Sequence, residues 1–211
     1  MKVLIISNGT IEDYEEIQAL IKQCNMVICA DGGGQHAYNM GVIPDVLIGD
    51  FDSITTTTLD YFINYNVQIF TYPCDKDETD TQLAVQYAVD NGAKEIILVG
   101  CVGTRFDHTF ANISLLIWLM KRGIRGVIKN NNNEINVIDR YIELYGNIGE
   151  KVSLLAITPM ITGIHTKGLK YALENENLNF DNPRGISNEL IATKAEVVIR
   201  DGMLLVIKSR D

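Results

Sequence analysis

Lys94 to Gly123 reads KEIILVGCVGTRFDHTFANISLLIWLMKRG. Ile96 to Val99 is a short continuous apolar run, the pattern of a strand covered on both faces, and Gly100 ends it. A polar loop follows. From His108 to Arg122 the apolar residues recur at helical spacing, with Phe110, Ile113, Ile117 and Met120 in register and Gly123 as the stop. The stretch is therefore one strand–loop–helix unit. The same pattern recurs toward the N-terminus. Val3 to Ile6 ends in Ser7-Asn8-Gly9, and Glu12 to Lys22 has helical spacing with Tyr14, Ile17 and Ile21 on one side. Met26 to Ala30 ends in Asp31-Gly32-Gly33-Gly34, and Val46 to Ile48 ends in Gly49-Asp50. Thr79 to Asn91 reads as a helix with Leu83, Ala84, Tyr87 and Ala88 on one face, and Thr79 and Gln82 have capping-box spacing. Strands alternating with helices predict an α/β domain built on a parallel sheet.

Beyond Arg122 no long helical pattern appears. Ile135 to Ile138, Tyr141 to Tyr145, Val152 to Ile157 and Val197 to Arg200 are short strand-like runs. Asp201-Gly202 separates Ala195–Arg200 from Met203–Lys208, which predicts a tight hairpin between those two runs. The expected organisation is an α/β domain over residues 1–123 and an antiparallel β-sandwich over residues 124–211.

A chain of 211 residues with 46% hydrophobic and 21% charged residues is of ordinary globular composition, which excludes disorder, collagen and coiled coil. Its net charge of −9 disfavours nucleic acid and anionic membranes as partners. An anionic substrate would need a cation between itself and the protein. The four cysteines, Cys24, Cys29, Cys74 and Cys101, have neither disulfide-framework nor zinc spacing, so free thiols in a reducing, cytoplasmic setting are expected. The apolar run in MKVLIIS is too short for a signal peptide, and the stretch around Ile113 to Met120 is too short to span a bilayer.

Polar clusters fall at the predicted strand ends and in the loops that could join them, where open parallel sheets bind ligands. Asp31, Gly32 and Gly33 would let the backbone approach a phosphate ahead of a helix, and would equally make an ordinary tight turn. If Gly49 to Ser53 is extended, Asp50 and Asp52 point to one side while Phe51 packs inward. Two carboxylates on one side suit Mg²⁺, although a helix cap plus a solvated carboxylate would use the same residues. Asp77 and Asp80 open a helix, where carboxylates gain from the macrodipole. From Asp45 to Asp80, however, there are eight acidic residues and one basic residue, Lys76. Arg105 suits bidentate contact with a phosphate, Asp107 would orient Arg105 or cap the helix, and His108 is a candidate base.

ADGGG (Ala30–Gly34), PDVLIGDFDS (Pro44–Ser53), DKDETD (Asp75–Asp80), GTRFDHT (Gly103–Thr109), TKGLKYAL (Thr166–Leu173) and RGISNE (Arg184–Glu189) occur in the order found in thiamine pyrophosphokinases. The chain resembles that family over nearly its whole length. The resemblance implies a Rossmann-like Mg–ATP domain, then a β-sandwich that binds thiamine and dimerises. It implies pyrophosphoryl transfer from ATP to thiamine with release of AMP, in a homodimer whose composite site joins the α/β domain of one subunit to the sandwich of the other. By resemblance, Asp50, Asp52 and Asp80 are the Mg²⁺ carboxylates. Asp77, Arg105 and Asp107 join them in catalysis. Asp31, Gly32, Gly33, Arg105, Asp107 and His108 face the nucleotide, and Thr79, Asp80, Ser187 and Asn188 face thiamine. Two departures stand out. Ala172 replaces a proline common in relatives, and the single tryptophan, Trp118, lies in a predicted core helix, which leaves a tyrosine such as Tyr171 to stack on thiamine. A pterin-type pyrophosphokinase and a non-catalytic thiamine or nucleotide sensor are the alternatives.

Overall fold

The computed structural model describes residues 1–210. In chain order it has β1 (Lys2–Ile6), α1 (Tyr14–Ile21), β2 (Met26–Ala30), α2 (Gly33–Asn39), β3 (Val46–Gly49), α3 (Thr56–Asn64), β4 (Gln68–Thr71), α4 (Asp80–Asp90), β5 (Glu95–Val99), α5 (Phe106–Met120) and β6 (Arg125–Lys129). Then follow β7 (Asn133–Ile138), β8 (Tyr141–Tyr145), β9 (Lys151–Ala156), β10 (Met160–Lys167), β11 (Glu174–Asn179), β12 (Asn188–Glu189), β13 (Lys194–Val198) and β14 (Leu204–Ser209). The chain forms two compact units that divide between Asn131 and Asn132. The division lies beyond the expected 123/124 because β6 pairs in parallel with β5, Ile96 opposite Gly126 and Leu98 opposite Ile128.

In the first unit the strands lie in the order β6-β5-β1-β2-β3-β4 and every pairing is parallel. The strands are short, so burial rather than propensity holds them. Leu4, Ile5, Ile6, Ile96, Leu98 and Val99 are fully inaccessible, each contributing about 1.5–3 kcal/mol. From β1 the chain adds β2, β3 and β4 on one side, then returns to add β5 and β6 on the other. The order reverses between β1 and β5, and the carboxyl ends of those two strands open the crevice where such sheets take ligands.

The expected helices form, with one face corrected. Thr79 caps α4 by accepting the Gln82 amide at 3.1 Å, and Ala84, Val85 and Ala88 are buried. Helix α5 begins at Phe106 and buries Asn112, Leu116 and Leu119, whereas Phe110, read in one register with Ile113, Ile117 and Met120, is exposed. That helix is apolar nearly all round, so periodicity alone did not single out its inner face. Among the described residues, no helix is long and apolar enough to cross a membrane.

The second unit is a β-sandwich. Its two antiparallel sheets have the orders β12-β9-β14-β7 and β11-β10-β13-β8. Both sheets supply one core, from Val152, Leu154, Leu204 and Val206 on one side to Ile161, Leu178, Ala195 and Val197 on the other. The hairpin expected at Asp201-Gly202 does not form. β13 pairs with β8 and β10, and β14 pairs with β7 and β9, so the turn carries the chain from one sheet to the other. Only Gly202 has positive φ there (104°), whereas the two-residue turn of that hairpin needs it at both positions.

On β8, Glu143 accepts the Tyr141 hydroxyl at 2.7 Å and the Tyr145 hydroxyl at 2.6 Å, and pairs with Lys194 of β13 at 2.7 Å. Lys194, then the two hydroxyls, hold its carboxyl down from an ordinary 4.5 to about 2. A depressed folded pKa stabilises fully above the unfolded value and is lost as pH falls through the folded one. Glu143→Gln should therefore flatten the decline of stability between pH 4.5 and about 2, read from urea unfolding at several pH values. A slope unchanged from the parent protein would refute this.

Candidate functional site

A cavity of about 680 Å³ opens at the carboxyl ends of β1 and β5. Asp31, Asp50, Asp52, Thr79, Asp80, Arg105 and His108 of the expected residues line it. Three of these carboxylates converge, since one oxygen from each of Asp31, Asp50 and Asp52 lies within 4.8 Å of the others. Register explains how residues so far apart in sequence meet. β2 and β3 pair with Ala30 opposite Ile48, so Asp31 leaves the sheet beside Gly49 and Asp50. The Asp31 amide accordingly donates to the Ile48 carbonyl at 2.8 Å.

The segment after β3 is not extended as expected. Phe51 has φ of 64°, in the left-handed region, and it packs against the core while Asp50 and Asp52 reach the cavity through the resulting bend. The Asp52 amide donates to Asp50 Oδ1 at 3.3 Å, and Ser53 Oγ donates to Asp52 Oδ1 at 2.8 Å.

The chemistry of this donor set fits a hard divalent cation. Asp31 is 8% exposed, and its Oδ1 has no hydrogen-bond partner among the described residues. A carboxylate oxygen buried beside two other carboxylates is costly without a positive ion, and Mg²⁺ takes such oxygens. The set differs in one member from the one the resemblance implied. Asp31 joins Asp50 and Asp52, whereas Asp80 Oδ1 lies 3.0 Å from Lys76 Nζ.

Lys76 also lies 3.4 Å from Asp50 Oδ2. Partial burial pushes the Asp50 carboxyl up, but the Asp52 amide, Cys74 and Lys76 outweigh it and hold it below the usual carboxylate range. Burial raises Asp80 above that range despite Lys76, with Asp50 and Asp31 adding repulsion. Cys74 sits beside Asp50, which accepts its thiol hydrogen and keeps the thiol protonated beyond its ordinary range.

At the mouth, Arg105 donates from Nε and a terminal nitrogen to Asp107 at 3.3 and 2.5 Å. Asp107 thus orients Arg105, whose own side chain makes no capping hydrogen bond at the start of α5. The guanidinium stays largely exposed and available to an anion. His108, in the first turn of α5, is exposed at the same rim.

Gly32, Gly33, Asp77 and Asp107 are not among the cavity-lining residues. Gly33 is needed for packing, because a Cβ there would lie 1.9 Å from the Ile6 carbonyl of β1. His36, with no role expected, is held between Tyr14 Oη and the Gly9 carbonyl, each at 2.9 Å.

Ser7, Asn8, Lys76, Thr81, Cys101 and Asn112 also line the cavity, though no site role was expected for them. Ser7 Oγ lies 2.9 Å from Thr81 Oγ1, and Asn112 Nδ2 donates to the Cys101 carbonyl at 2.9 Å. Ser7-Asn8-Gly9 at a strand end was the available signal for the first of these.

In the sandwich, Ser187 has φ of 57° and its amide donates to Ser153 Oγ at 3.1 Å. Asn188 is buried. Its Oδ1 accepts the Tyr171 and Glu189 amides at 3.0 and 2.9 Å, and its Nδ2 donates to the Tyr171 carbonyl at 2.8 Å. Asn188 therefore fixes the backbone that presents the exposed Tyr171 ring.

Comparison with known proteins agrees with this arrangement. Residues 17–128 match the family model described as thiamin pyrophosphokinase, catalytic domain, and residues 136–204 match the thiamin pyrophosphokinase vitamin B1 binding domain. The thiamine pyrophosphokinase of Bacillus subtilis (strain 168) is 28% identical over 210 residues, covering 98% of each chain. A crystal structure of thiamine pyrophosphokinase from Bacillus subtilis matches with a TM-score of 0.89 at 26% identity, covering 100% of both chains. One of thiamin pyrophosphokinase from Geobacillus thermodenitrificans matches at 0.83 and 25% identity, covering 100% of this chain and 98% of that one. The catalytic-domain match includes Asp31, Asp50, Asp52 and the end of β5, and the second match covers most of the sandwich; the chain belongs to the thiamin pyrophosphokinase family.

Proposed function

We propose that this protein transfers the pyrophosphoryl group of ATP to thiamine, yielding thiamine diphosphate and AMP. The observation that carries the reading is the convergence of Asp31, Asp50 and Asp52 within 4.8 Å in a crevice at the sheet's reversal point, in a chain of this family. The thiamine hydroxyl oxygen bonds to the β-phosphorus of ATP, the bond to the bridging oxygen of AMP breaks, and the hydroxyl proton is released. Catalysis of such a transfer is chiefly positioning and neutralisation of charge. Asp31, Asp50 and Asp52 would hold Mg²⁺, which when bound supplies positive charge to the phosphate oxygens. Arg105, steadied by Asp107, offers bidentate donors to the same oxygens. Asp77, Asp80 and His108 keep supporting roles in this reading, with Thr79 and Asp80 toward thiamine.

Incubating the protein with Mg²⁺, ATP and either thiamine or a hydroxymethylpterin tests it. AMP and thiamine diphosphate in equal amounts with thiamine alone are expected. AMP only with the pterin, or thiamine binding without any AMP, would overturn the assignment. A homodimer with a composite site, in a cytoplasmic setting, belongs to the same proposal. Mixing inactive Asp52→Asn with the weakened Asn188→Ala should then, after subunit exchange, raise activity at sub-saturating thiamine above that of the unexchanged mixture, because each heterodimer holds one intact composite site.

On the thiamine side, Ser187→Ala and Asn188→Ala should raise KM for thiamine and leave KM for ATP nearly unchanged. The loss is on the order of 1 kcal/mol, several-fold in kcat/KM. It should be larger for Asn188→Ala, which also strips the Tyr171 amide of its acceptor. A two-substrate titration of folded variants decides it, and an effect confined to ATP would move the thiamine pocket elsewhere.

A further inference from the structure

Lys76 stands between two carboxylates of the crevice. Its Nζ lies 3.0 Å from Asp80 Oδ1 and 3.4 Å from Asp50 Oδ2, and donates to the Pro73 carbonyl at 3.1 Å. Three oxygens thus surround an ammonium group that has three protons. The side chain is only 10% exposed, so the arrangement is built in rather than a solvent-borne pairing. Asp50 is at the same time one of the three carboxylates that converge within 4.8 Å. A separate observation marks that cluster as a cation site: Asp31, 92% buried by its 8% exposure, keeps an Oδ1 with no partner among the described residues. Asp50 therefore faces a metal on one side and a tethered ammonium on the other. Two cations sharing one carboxylate repel each other.

We propose that Lys76 is a tethered counter-cation that competes with the divalent metal for Asp50, so that the metal site fills together with the nucleotide rather than before it. Without nucleotide, the ammonium neutralises part of the charge that would attract a metal. The triphosphate brings several negative charges and new oxygen acceptors. Lys76 can then turn from Asp50 toward the phosphates while Asp50 takes the metal. Lys76 acts through Asp50 and is in this sense a positioning residue. The inference rests on the proposed reading of the acidic cluster as the metal end of the site.

The test uses Mn²⁺ alone as probe, titrated into the full chain without nucleotide and followed by the electron paramagnetic resonance of free Mn²⁺. Lys76→Met should bind Mn²⁺ at least about tenfold more tightly than the parent protein, the scale of one unit charge removed from a few ångströms away in a partly solvated site. Lys76→Gln, a second neutral variant, should do the same, and Lys76→Arg should stay within about threefold of the parent because the charge remains. The neutral variants should also show a raised KM for Mg–ATP. Unchanged or weaker Mn²⁺ binding in folded Lys76→Met and Lys76→Gln would overturn the proposal. Asp50→Asn separates the two levels of the argument. If it leaves Mn²⁺ binding unchanged, the metal reading of the cluster fails. If it weakens binding while the neutral Lys76 variants do not tighten it, only the role of Lys76 fails.

Discussion

Asp50→Asn and Asp52→Asn should each lower turnover by at least about a hundredfold, with thiamine, ATP and Mg²⁺ all saturating, because charge stabilisation confined to the transition state is typically worth a few kcal/mol. The substitution keeps the shape of the side chain and removes one negative oxygen from the converging set. Asp50 is held below the usual carboxylate range, the Asp52 amide and Lys76 outweighing partial burial, so it is charged at neutral pH and has a charge to lose. Asp31→Asn should behave alike, since its buried Oδ1 has no other partner among the described residues. The fold should survive all three changes, because clustered carboxylates without a metal repel one another and removing one relieves that repulsion. Steady-state AMP release decides the matter, with urea unfolding as the control. Near-normal turnover in a variant would remove that residue from the metal set. A large loss of stability would recast its role as structural. Chelation by EDTA should abolish the parent's activity and added Mg²⁺ restore it.

The parts of this site that sequence alone disclosed are those carried by local pattern. Buried parallel strands make continuous apolar runs, so Val3–Ile6, Met26–Ala30 and Ile96–Val99 announced themselves, and the polar residues just beyond them followed. β4 did not, because Gln68–Thr71 lies at the sheet's edge with none of its residues buried. β11 reads ENENLN and is a strand only because β10 pairs with it. The Asp201-Gly202 turn is real, but both flanking strands send apolar side chains into the same core from opposite sheets, so their pattern was equally that of a hairpin. Long-range register was illegible for the same reason. Nothing local ties Asp31 to Asp50, yet the pairing of Ala30 with Ile48 brings them together. Likewise Gly49 pairs with Thr71, which sends Cys74 and Lys76 past Asp50. Lys76 looked like one base in an acidic run, and only that register gives it two carboxylates.

Gly100→Ala should be a strongly damaging single-methyl change at the floor of the crevice. Gly100 follows β5 directly and has φ of 65°, where a side chain costs about 1–2 kcal/mol. A Cβ there would also lie 2.3 Å from the Ser7 carbonyl oxygen and 3.0 Å from its carbon. Neither atom belongs to a flexible side chain. The Ser7 amide donates to the Val99 carbonyl at 2.9 Å, and the Gly9 amide to the Gly100 carbonyl at 2.7 Å, which ties the ends of β1 and β5 together. Relief of the clash must spread these two strands at the floor of the crevice. Gly92→Ala provides the comparison. Gly92 also has positive φ (85°), yet a Cβ there would meet nothing within 4 Å. It should lose only the backbone cost, about 1–2 kcal/mol. Gly100→Ala should lose at least about 3 kcal/mol, lowering Tm by roughly 6–12 °C for a chain of this size. Its activity at a temperature where it remains folded should fall as well, because Ser7, Gly9 and Cys101 line the cavity. Thermal and urea unfolding of the two variants side by side provide the measurement. Equal losses would mean that the close approach of β5 to Ser7 carries no energy of its own. Since the φ term is common to both variants, the difference between them isolates what it costs to part β1 from β5 where the sheet reverses.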